Sequence, residues 1–261
     1  MGAVETMEPI GTDLAAEHAA LDTVVGGLSA DEWRRPTPAP GWTVHDQIGH
    51  LTYYDGAAVL AATEPDRFVA TMLNIASADE PLNSTRPLTE VALLARWRTG
   101  RATLLDTLGR LDPKARIVWY GPAMSAISFA TARLMETWAH GQDVVDTFGV
   151  SRPPSDRLRH ICHIGVRARP FSFQIHGLEP PTVDVYVDLV SANGTRWQWG
   201  DTASPDRVRG DALDFCLLVT QRRHLGDTAL VAEGPVATKW VTIAQAFAGP
   251  PGSGRRAGQF A

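Results

Sequence analysis

The hydrophobic period of this chain changes once, near Pro153 and Pro154, and that change limits the folds open to it. Before these prolines, apolar residues recur at the three- and four-residue spacing of amphipathic helices. After them, residues 182–190 alternate between apolar and polar side chains, which is typical of a strand with one buried face. We therefore expect an α+β protein, with a helical domain over residues 1–152 and a small α+β domain over residues 153–250.

Four amphipathic segments lie in the first domain, and they predict an antiparallel four-helix bundle. Thr43 and Asp46 have the spacing of a capping box at the start of the second helix, and Gly149 suits the end of the fourth. His18 lies one turn after an apolar residue of the first helix, so we expect it in the core or at its boundary. The predicted helices are residues 12–28, 44–58, 89–111 and 125–147, with a long break from Pro65 to Pro87.

The second domain has a hairpin signal at Asn193-Gly194, between strands predicted at residues 182–190 and 195–199. We expect residues 251–261 to form a mobile tail, because Gly, Pro and Arg predominate there. The other predicted elements are helices at residues 156–169, 211–225 and 235–247 and a short strand at 229–232.

The charge balance argues against nucleic acid as the main partner, since 24 basic and 29 acidic residues give a net charge of −5. No apolar run has the roughly 18–20 residues that a membrane span needs. Residues 1–10 lack the basic and apolar regions of a signal peptide. We therefore expect a cytoplasmic protein without a membrane partner, as a monomer or a homodimer.

The two cysteines, Cys162 and Cys216, form no CxxC motif. Buried free thiols in a reducing compartment are the favoured interpretation, and a disulfide between them is the alternative. His160 and His163 flank Cys162 with the spacing of a weak metal-binding pair, or they simply face a domain surface.

The fourth predicted helix carries Glu136 and His140, which lie one turn apart on the same face. One interpretation is an ordinary hydrogen bond between residues i and i+4, and the other is a pair of metal ligands. His50, on the second predicted helix, is the candidate third ligand. Two imidazoles and a carboxylate favour Zn²⁺, with Ni²⁺ or Fe²⁺ as alternatives, and they leave a coordination position open.

Four charged residues are candidates for supporting roles at such a site. Asp46 and Asp143 each lie one turn from a candidate ligand and could orient its imidazole, whereas a helix cap and a surface carboxylate are the simpler interpretations. Arg222 and Arg223 could bind an anionic thiol or a substrate carboxylate, or they could end a solvated helix.

Two segments resemble those of a known family. Residues 41–51, GWTVHDQIGHL, resemble the GWTVxDxxxHL signature of DinB-like and mycothiol-dependent maleylpyruvate isomerase N-terminal domains. Residues 136–144, ETWAHGQDV, resemble the ExWxHGxDV segment of the same family. The resemblance implies that His50, Glu136 and His140 bind one zinc ion, that an α+β domain follows the bundle, and that mycothiol is the thiol cofactor.

The second half resembles an uncharacterised actinobacterial metal-binding family more closely, at residues 215–225 and 240–251. Isomerase-type second domains carry a tryptophan-rich helix ending in Gly-Arg where this chain has Arg222, Arg223 and His224. The resemblance therefore carries over the metal ligands and not the maleylpyruvate substrate.

The leading hypothesis is a metal-dependent enzyme of the mycothiol-dependent isomerase or S-transferase type, acting on a small electrophile with a small-molecule thiol. A non-catalytic metal-binding or stress-response protein on the same bundle is the alternative. A third hypothesis is RNA-base modification of the wyosine type, from a loose resemblance in the second half. The acidic chain, without a CxxxCxxC cluster or a basic aromatic surface, argues against it.

Overall fold

The structure, a computed structural model, describes residues 6–73 and 80–260 and divides the chain into two compact units, Met1–Arg152 and Pro153–Ala261. Helices predominate in the first unit, and the second combines helices with a four-stranded sheet. The predicted α+β class is confirmed. Within the described residues, no helix is both long enough and apolar enough to cross a membrane.

The first unit contains four long helices with shorter elements between them. Its elements in chain order are α1 (Glu8–Val25), α2 (Ala30–Trp33), α3 (Val44–Thr63), α4 (Pro65–Leu73), α5 (Glu80–Asn83), α6 (Glu90–Gly109), β1 (Arg116–Ile117), β2 (Met124–Ser125) and α7 (Ala126–Phe148). α1 and α3 each pack against both α6 and α7, which closes a four-helix bundle. The predicted bundle is therefore confirmed.

The helix ends follow local sequence. At the start of α3, the Thr43 amide donates to the Asp46 carboxylate (2.9 Å) and the Asp46 amide donates to the Thr43 hydroxyl (3.2 Å), so the predicted capping box is present. α7 starts after Ser125, whose hydroxyl accepts from the Ser128 amide, and it ends at Gly149 with φ 62°. Hydrogen bonds from capping side chains therefore define the first residue of both α3 and α7.

Three predictions for the first unit were wrong in detail. α1 begins at Glu8, because Pro9 is tolerated in a first turn. The predicted break from Pro65 to Pro87 contains α4 and α5, and Pro65 starts α4 for the same reason; residues 74–79 of that break lie outside the described residues. Ile117 pairs with Met124 in a short hairpin, although the predicted elements included no regular structure between residues 111 and 125.

The main hydrophobic cluster of the bundle is fully buried. Each large side chain buried there stabilises the fold by roughly 1.5–3 kcal/mol relative to exposure. The buried members of the main cluster are Leu21, Val25, Trp33, Val44, Ile48, Leu51, Leu93, Trp97 and Val144. They come from α1, α2, α3, α6 and α7, so every long helix contributes to one core.

The second unit is built on a sheet with strand order β4-β3-β5-β6. Its elements are α8 (Leu158–Arg167), α9 (Arg169–Gln174), β3 (Tyr186–Val190), β4 (Arg196–Trp199), β5 (Arg207–Asp211), α10 (Ala212–Val219), a 3₁₀ turn (Leu225–Asp227), β6 (Val231–Glu233) and α11 (Pro235–Val241). β3 is antiparallel to β4 and parallel to β5, and β6 is antiparallel to β5. The predicted hairpin is confirmed, with Gly194 at φ 84°.

Two parts of the second unit differ from the sequence predictions. β5 was missed, because Val208 is its only large apolar side chain. The helix predicted over residues 211–225 ends at Val219, after which Gln221 adopts φ 58°. The mobility of residues 251–261 stays a prediction; in the structure the centroid of the Phe260 ring lies 3.8 Å from the Arg223 guanidinium, and the Gly258 amide donates to Asp227.

The two cysteines meet in this unit. Cys162 and Cys216 are fully buried free thiols whose Sγ atoms lie 3.5 Å apart. Burial, followed by the contact with Cys162, raises the pKa of Cys216 well above its usual value. The thiol of Cys216 is therefore protonated at neutral pH, as expected for a structural cysteine.

A buried ion pair joins α3 to α7. The Arg133 guanidinium donates through Nη2 (2.9 Å) and Nε (3.2 Å) to Oδ1 of Asp55, and the two side chains are 3% and 0% exposed. Removing one partner leaves the other charged and buried without compensation.

We predict that Asp55→Ala lowers the free energy of unfolding by about 3–5 kcal/mol, because Arg133 then loses its counter-charge in the core. Urea denaturation of the metal-free protein measures this loss. The matched control is Asp106→Ala, which removes the exposed pair with Arg110 on α6 and should cost less than about 1 kcal/mol. Equal losses in the two variants would contradict the prediction.

His18 of α1 lies in the core, which is one of the two positions that the sequence predicted for it; the other was the core boundary. Its ring is 2% exposed, and it meets the Trp97 ring edge-on with centroids 6.1 Å apart. Burial lowers the pKa of His18 from 6.5 to about 4, against the charge of Asp55 and with help from Arg101 and Arg133. The imidazole is therefore neutral in the folded protein at pH 7.

Because the folded state holds His18 unprotonated and the unfolded state protonates it below its ordinary pKa, stability should fall as the pH falls from 6.5 to 4. The contribution of His18 to this loss is about 3 kcal/mol. Denaturation curves of the wild type and His18→Phe across this pH range measure it. A curve for His18→Phe as steep as the wild-type curve would refute the assignment.

Candidate metal centre

Three side chains converge between α3 and α7. Nε2 of His140 lies 3.3 Å from Oε2 of Glu136, and Nε2 of His50 lies 3.8 Å from the same oxygen. One ligand atom from each residue lies within 4.8 Å of the other two, and in the described part of the chain this is the one such group of three His, Cys, Asp or Glu residues.

These separations suit a shared ion. Ligand atoms about 2.0–2.1 Å from a tetrahedral Zn²⁺ ion stand about 3.3–3.4 Å from one another, close to both distances to Glu136. The donor set of two imidazoles and one carboxylate is also that of open zinc sites. The residues present therefore fit a divalent metal ion of this type.

The bundle explains why these residues meet. Glu136 and His140 face α3 from successive turns of α7, and His50 lies in the second turn of α3, which the capping box fixes. Gly49 precedes it, and a Cβ atom there would lie only 2.4 Å from the Thr85 hydroxyl. The absence of a side chain at Gly49 therefore lets the segment before α6 pack directly on α3.

Gln47 orients His140. Its Oε1 accepts a hydrogen bond from Nδ1 of His140 (2.5 Å), which leaves Nε2 directed towards Glu136. The amide nitrogen of Gln47 donates to the Thr37 hydroxyl (2.9 Å), and that hydroxyl donates to the Trp42 carbonyl (3.0 Å). Gln47 is completely buried, so both ends of its amide are held. Gln47 was not among the predicted site residues, although its place one turn before His50 was a usable signal.

The two predicted supporting carboxylates differ in their surroundings. The Asp46 carboxylate caps α3 at Thr43 and accepts from Arg86 Nε (2.8 Å), in line with the simpler interpretation of this residue. Asp143, one turn after His140, is 1% exposed and is therefore not a surface carboxylate. Its role in orienting His140 stays a prediction.

The surroundings of Glu136 favour the ionised form of its carboxyl group. Burial acts to raise the pKa of this carboxyl group, but hydrogen bonds with His140 and His50 and the positive charge of Arg133 hold the pKa well below its usual range. An ionised carboxylate between two imidazoles is the protonation state that a metal ligand requires.

Aromatic rings surround the ligands on one side. The Trp42 ring stacks on His140 with centroids 5.8 Å apart and an interplanar angle of 14°, and it lies 5.2 Å from the His50 ring. Tyr54, one turn after His50, lies 4.5 Å from the same ring. Burial, and then the charges of Tyr53 and Glu136, raise the pKa of Tyr54, so its hydroxyl is neutral at physiological pH.

The remaining candidates lie in the second unit. The Arg222 guanidinium donates to the Thr220 carbonyl (2.7 Å), and Arg223 lies against Phe260. A role for either arginine in binding a thiol or substrate stays a prediction. His163 accepts from Trp199 Nε1 (3.3 Å), and within the described residues no third ligand joins it and His160.

Comparison with known proteins relates both the sequence and the fold to one group. Residues 14–145 match the family model described as the mycothiol maleylpyruvate isomerase N-terminal domain. Two uncharacterised proteins of Mycobacterium tuberculosis, from strains CDC 1551 / Oshkosh and H37Rv, are each 46% identical over 252 residues, which cover 95% of this chain and 98% of theirs.

The fold is shared with solved structures. The crystal structure of the mycothiol-dependent maleylpyruvate isomerase matches with a TM-score of 0.60 and 17% identity, over 89% of this chain and 96% of that chain. A histidine-to-alanine mutant of that isomerase matches with the same TM-score and coverage at 15% identity. At these identities the likeness establishes a common fold and no more.

We predict that Gln47→Leu lowers the Zn²⁺ affinity by about 10–100-fold, because Nδ1 of His140 loses the acceptor that fixes the ring. Competition with a chromophoric chelator measures the affinity. Gln142→Leu is the matched control, since this buried α7 glutamine bonds Asp146 and should leave Zn²⁺ binding unchanged. Equal affinities in the two variants would show that Gln47 has no such role.

Proposed function

The chain belongs to the mycothiol maleylpyruvate isomerase N-terminal domain family, and from that premise we propose that it is a metal-dependent enzyme that joins a small thiol to a small electrophile. The reaction is of the isomerase or S-transferase type, in which a sulfur nucleophile adds to an electrophilic carbon. The observation that carries the proposal is the convergence of His50, Glu136 and His140, which come from the two segments that resemble the family.

The proposed metal is zinc, with nickel or iron as alternatives, because the donor set combines two imidazoles with one carboxylate. When bound, a divalent ion supplies the Lewis acidity that makes a nucleophile available near neutral pH. Three protein ligands leave a position for a further ligand, which favours a catalytic over a purely structural site.

The residues of the chain prepare this site. Gln47 accepts the hydrogen bond from Nδ1 of His140, so that Nε2, which contacts Glu136, is the nitrogen that would bind the ion once its proton is displaced. Arg133 is near enough to favour the ionised form of Glu136. Trp42 covers one face of the His140 ring and so keeps water from that side of the ligands.

The proposed thiol is mycothiol, as suggested by the family description and by the name of the isomerase that shares the fold. The electrophile is proposed to be small. Arg222 and Arg223 are proposed to bind an anionic group of the thiol or of the substrate, because guanidinium groups pair well with carboxylates.

A non-catalytic metal-binding protein is the second candidate. It is favoured by one observation: the carboxylates of Asp46 and Asp55, which neighbour the ligands in sequence, are already engaged with Arg86 and Arg133. Neither is free to act as a general acid or base. Binding of a thiol without any turnover would support this candidate.

We predict that the purified protein contains about one equivalent of divalent metal and that His140→Ala and Glu136→Gln lose most of it, since each removes one of three ligands. Elemental analysis after gel filtration measures the content. His45→Gln is the control on α3, because Nε2 of His45 contacts the Leu88 carbonyl instead. A metal-free wild type, or an unchanged His140→Ala, would remove the basis of the proposal.

Thiol use is tested on the metal-loaded wild type by calorimetric titration with mycothiol. Binding that His140→Ala abolishes is the expected result, since the thiol sulfur should need the intact ligand set. Metal-loaded protein with no affinity for mycothiol would refute the thiol part of the proposal and leave the metal centre standing.

A further inference from the structure

We propose that Trp42, Tyr54, Trp119 and Tyr120 form an aromatic surface that binds a planar, uncharged electrophile beside the metal ligands. The inference rests on the proposed function, because it names the class of substrate that the same site takes. It assigns specificity to residues that are not metal ligands.

The rings form one continuous chain of contacts. Tyr54 lies 4.5 Å from His50 by ring centroids, and the Tyr120 and Trp119 rings lie 5.6 and 6.2 Å from Tyr54. Trp42 lies on the ligands themselves, against both His50 and His140. All four of the proposed surface residues are only partly buried, so each has ring surface left to offer to a ligand.

Buried aromatic side chains support the surface at Trp119. Trp119 stacks on Phe68 of α4 with an interplanar angle of 3° and centroids 5.4 Å apart, and it meets Phe129 of α7 edge-on at 4.9 Å. Phe68 and Phe129 are 1% and 0% exposed. The β1–β2 hairpin thus carries Trp119 and Tyr120 on a buried aromatic base, and an ordered surface lowers the entropy cost of binding.

The charges near the ligands disfavour an acidic substrate. Arg133, the guanidinium that acts on Glu136, is buried and engaged with Asp55, so it cannot pair with a substrate carboxylate. A divalent ion and the Glu136 carboxylate together carry one net positive charge, which a single thiolate balances. A dicarboxylate would add two negative charges beside the aromatic rings, so of the two anions proposed for Arg222 and Arg223 the inference favours a group of the thiol over a substrate carboxylate.

Ring stacking favours a planar ligand instead. Offset and edge-on aromatic contacts contribute about 0.5–1.5 kcal/mol beyond the burial of apolar area, and a flat conjugated molecule can meet several of these rings at once. The surface is made of two indole and two phenol side chains, which carry no formal charge near neutral pH. An electrophilic double bond conjugated to a ring or carbonyl has the required shape and polarity.

The test is a binding measurement on the full-length, Zn²⁺-loaded protein without any thiol. Neutral N-phenyl-1-naphthylamine serves as the fluorescent probe, and N-phenylsuccinimide, maleate and methyl glucoside compete with it. We expect N-phenylsuccinimide to displace the probe at concentrations at least 100-fold below maleate or the glucoside. Tyr54→Leu should lower the affinity for the probe by about fivefold to tenfold, since a ring contact is lost. Tyr54→Phe keeps the ring and should bind the probe as tightly as the wild type does.

Phe148→Leu is the matched control, because Phe148 lies two turns beyond His140 on α7 and contacts Arg35 instead of the surface. Displacement by maleate as effective as by N-phenylsuccinimide would overturn the inference in favour of an acidic substrate, and displacement by the glucoside would assign the surface to a sugar. Equal probe affinity in Tyr54→Leu and Phe148→Leu would also overturn it. The metal content, measured on the same samples, reports separately on the proposed function.

Discussion

The buried ion pair between Arg133 and Asp55 fixes the register of α3 against α7, and the candidate metal centre depends on that register. Such a pair adds little net stability compared with an apolar pair, because both charges lose their water. A slip of one helical turn, however, would leave two unpaired charges in the core, at a cost of several kcal/mol. Arg133 lies one turn before Glu136, so the alignment that satisfies the ion pair also brings Glu136 to His50.

The surroundings of the ligands divide into a polar and an aromatic side. On the polar side, Gln47 and Thr37 form a short hydrogen-bonded chain that ends on the His140 ring. On the aromatic side, Trp42 and Tyr54 contact the imidazoles without bonding to them. The polar side therefore fixes the orientation of the His140 ring, and the aromatic side is the one that a substrate of the proposed reaction would meet.

The bundle was predictable from sequence because its signals are local: apolar spacing along each helix, the capping box at Thr43 and the glycine after α7. The proximity of Glu136 and His140 on α7 followed from their spacing, but two candidate ligands a turn apart did not identify His50 on another helix. That step required the resemblance of residues 41–51 to a family. Features without a repeating sequence pattern were not predicted. Nothing in the sequence distinguishes the amide of Gln47 from other polar side chains, and β5 has only one large apolar residue. Pro65 was taken as a break although proline also suits a first helical turn.

The placement of the two cysteines has a consequence for a protein proposed to handle electrophiles. Any exposed thiolate of its own would compete with the external thiol and be alkylated by the substrate. Cys162 and Cys216 are fully buried against each other in the second unit, and Cys216 keeps its proton at neutral pH. The chain has no other cysteine. In the proposed reaction the nucleophile would therefore be the sulfur of a small-molecule thiol, and the two thiols of the chain would be spared alkylation.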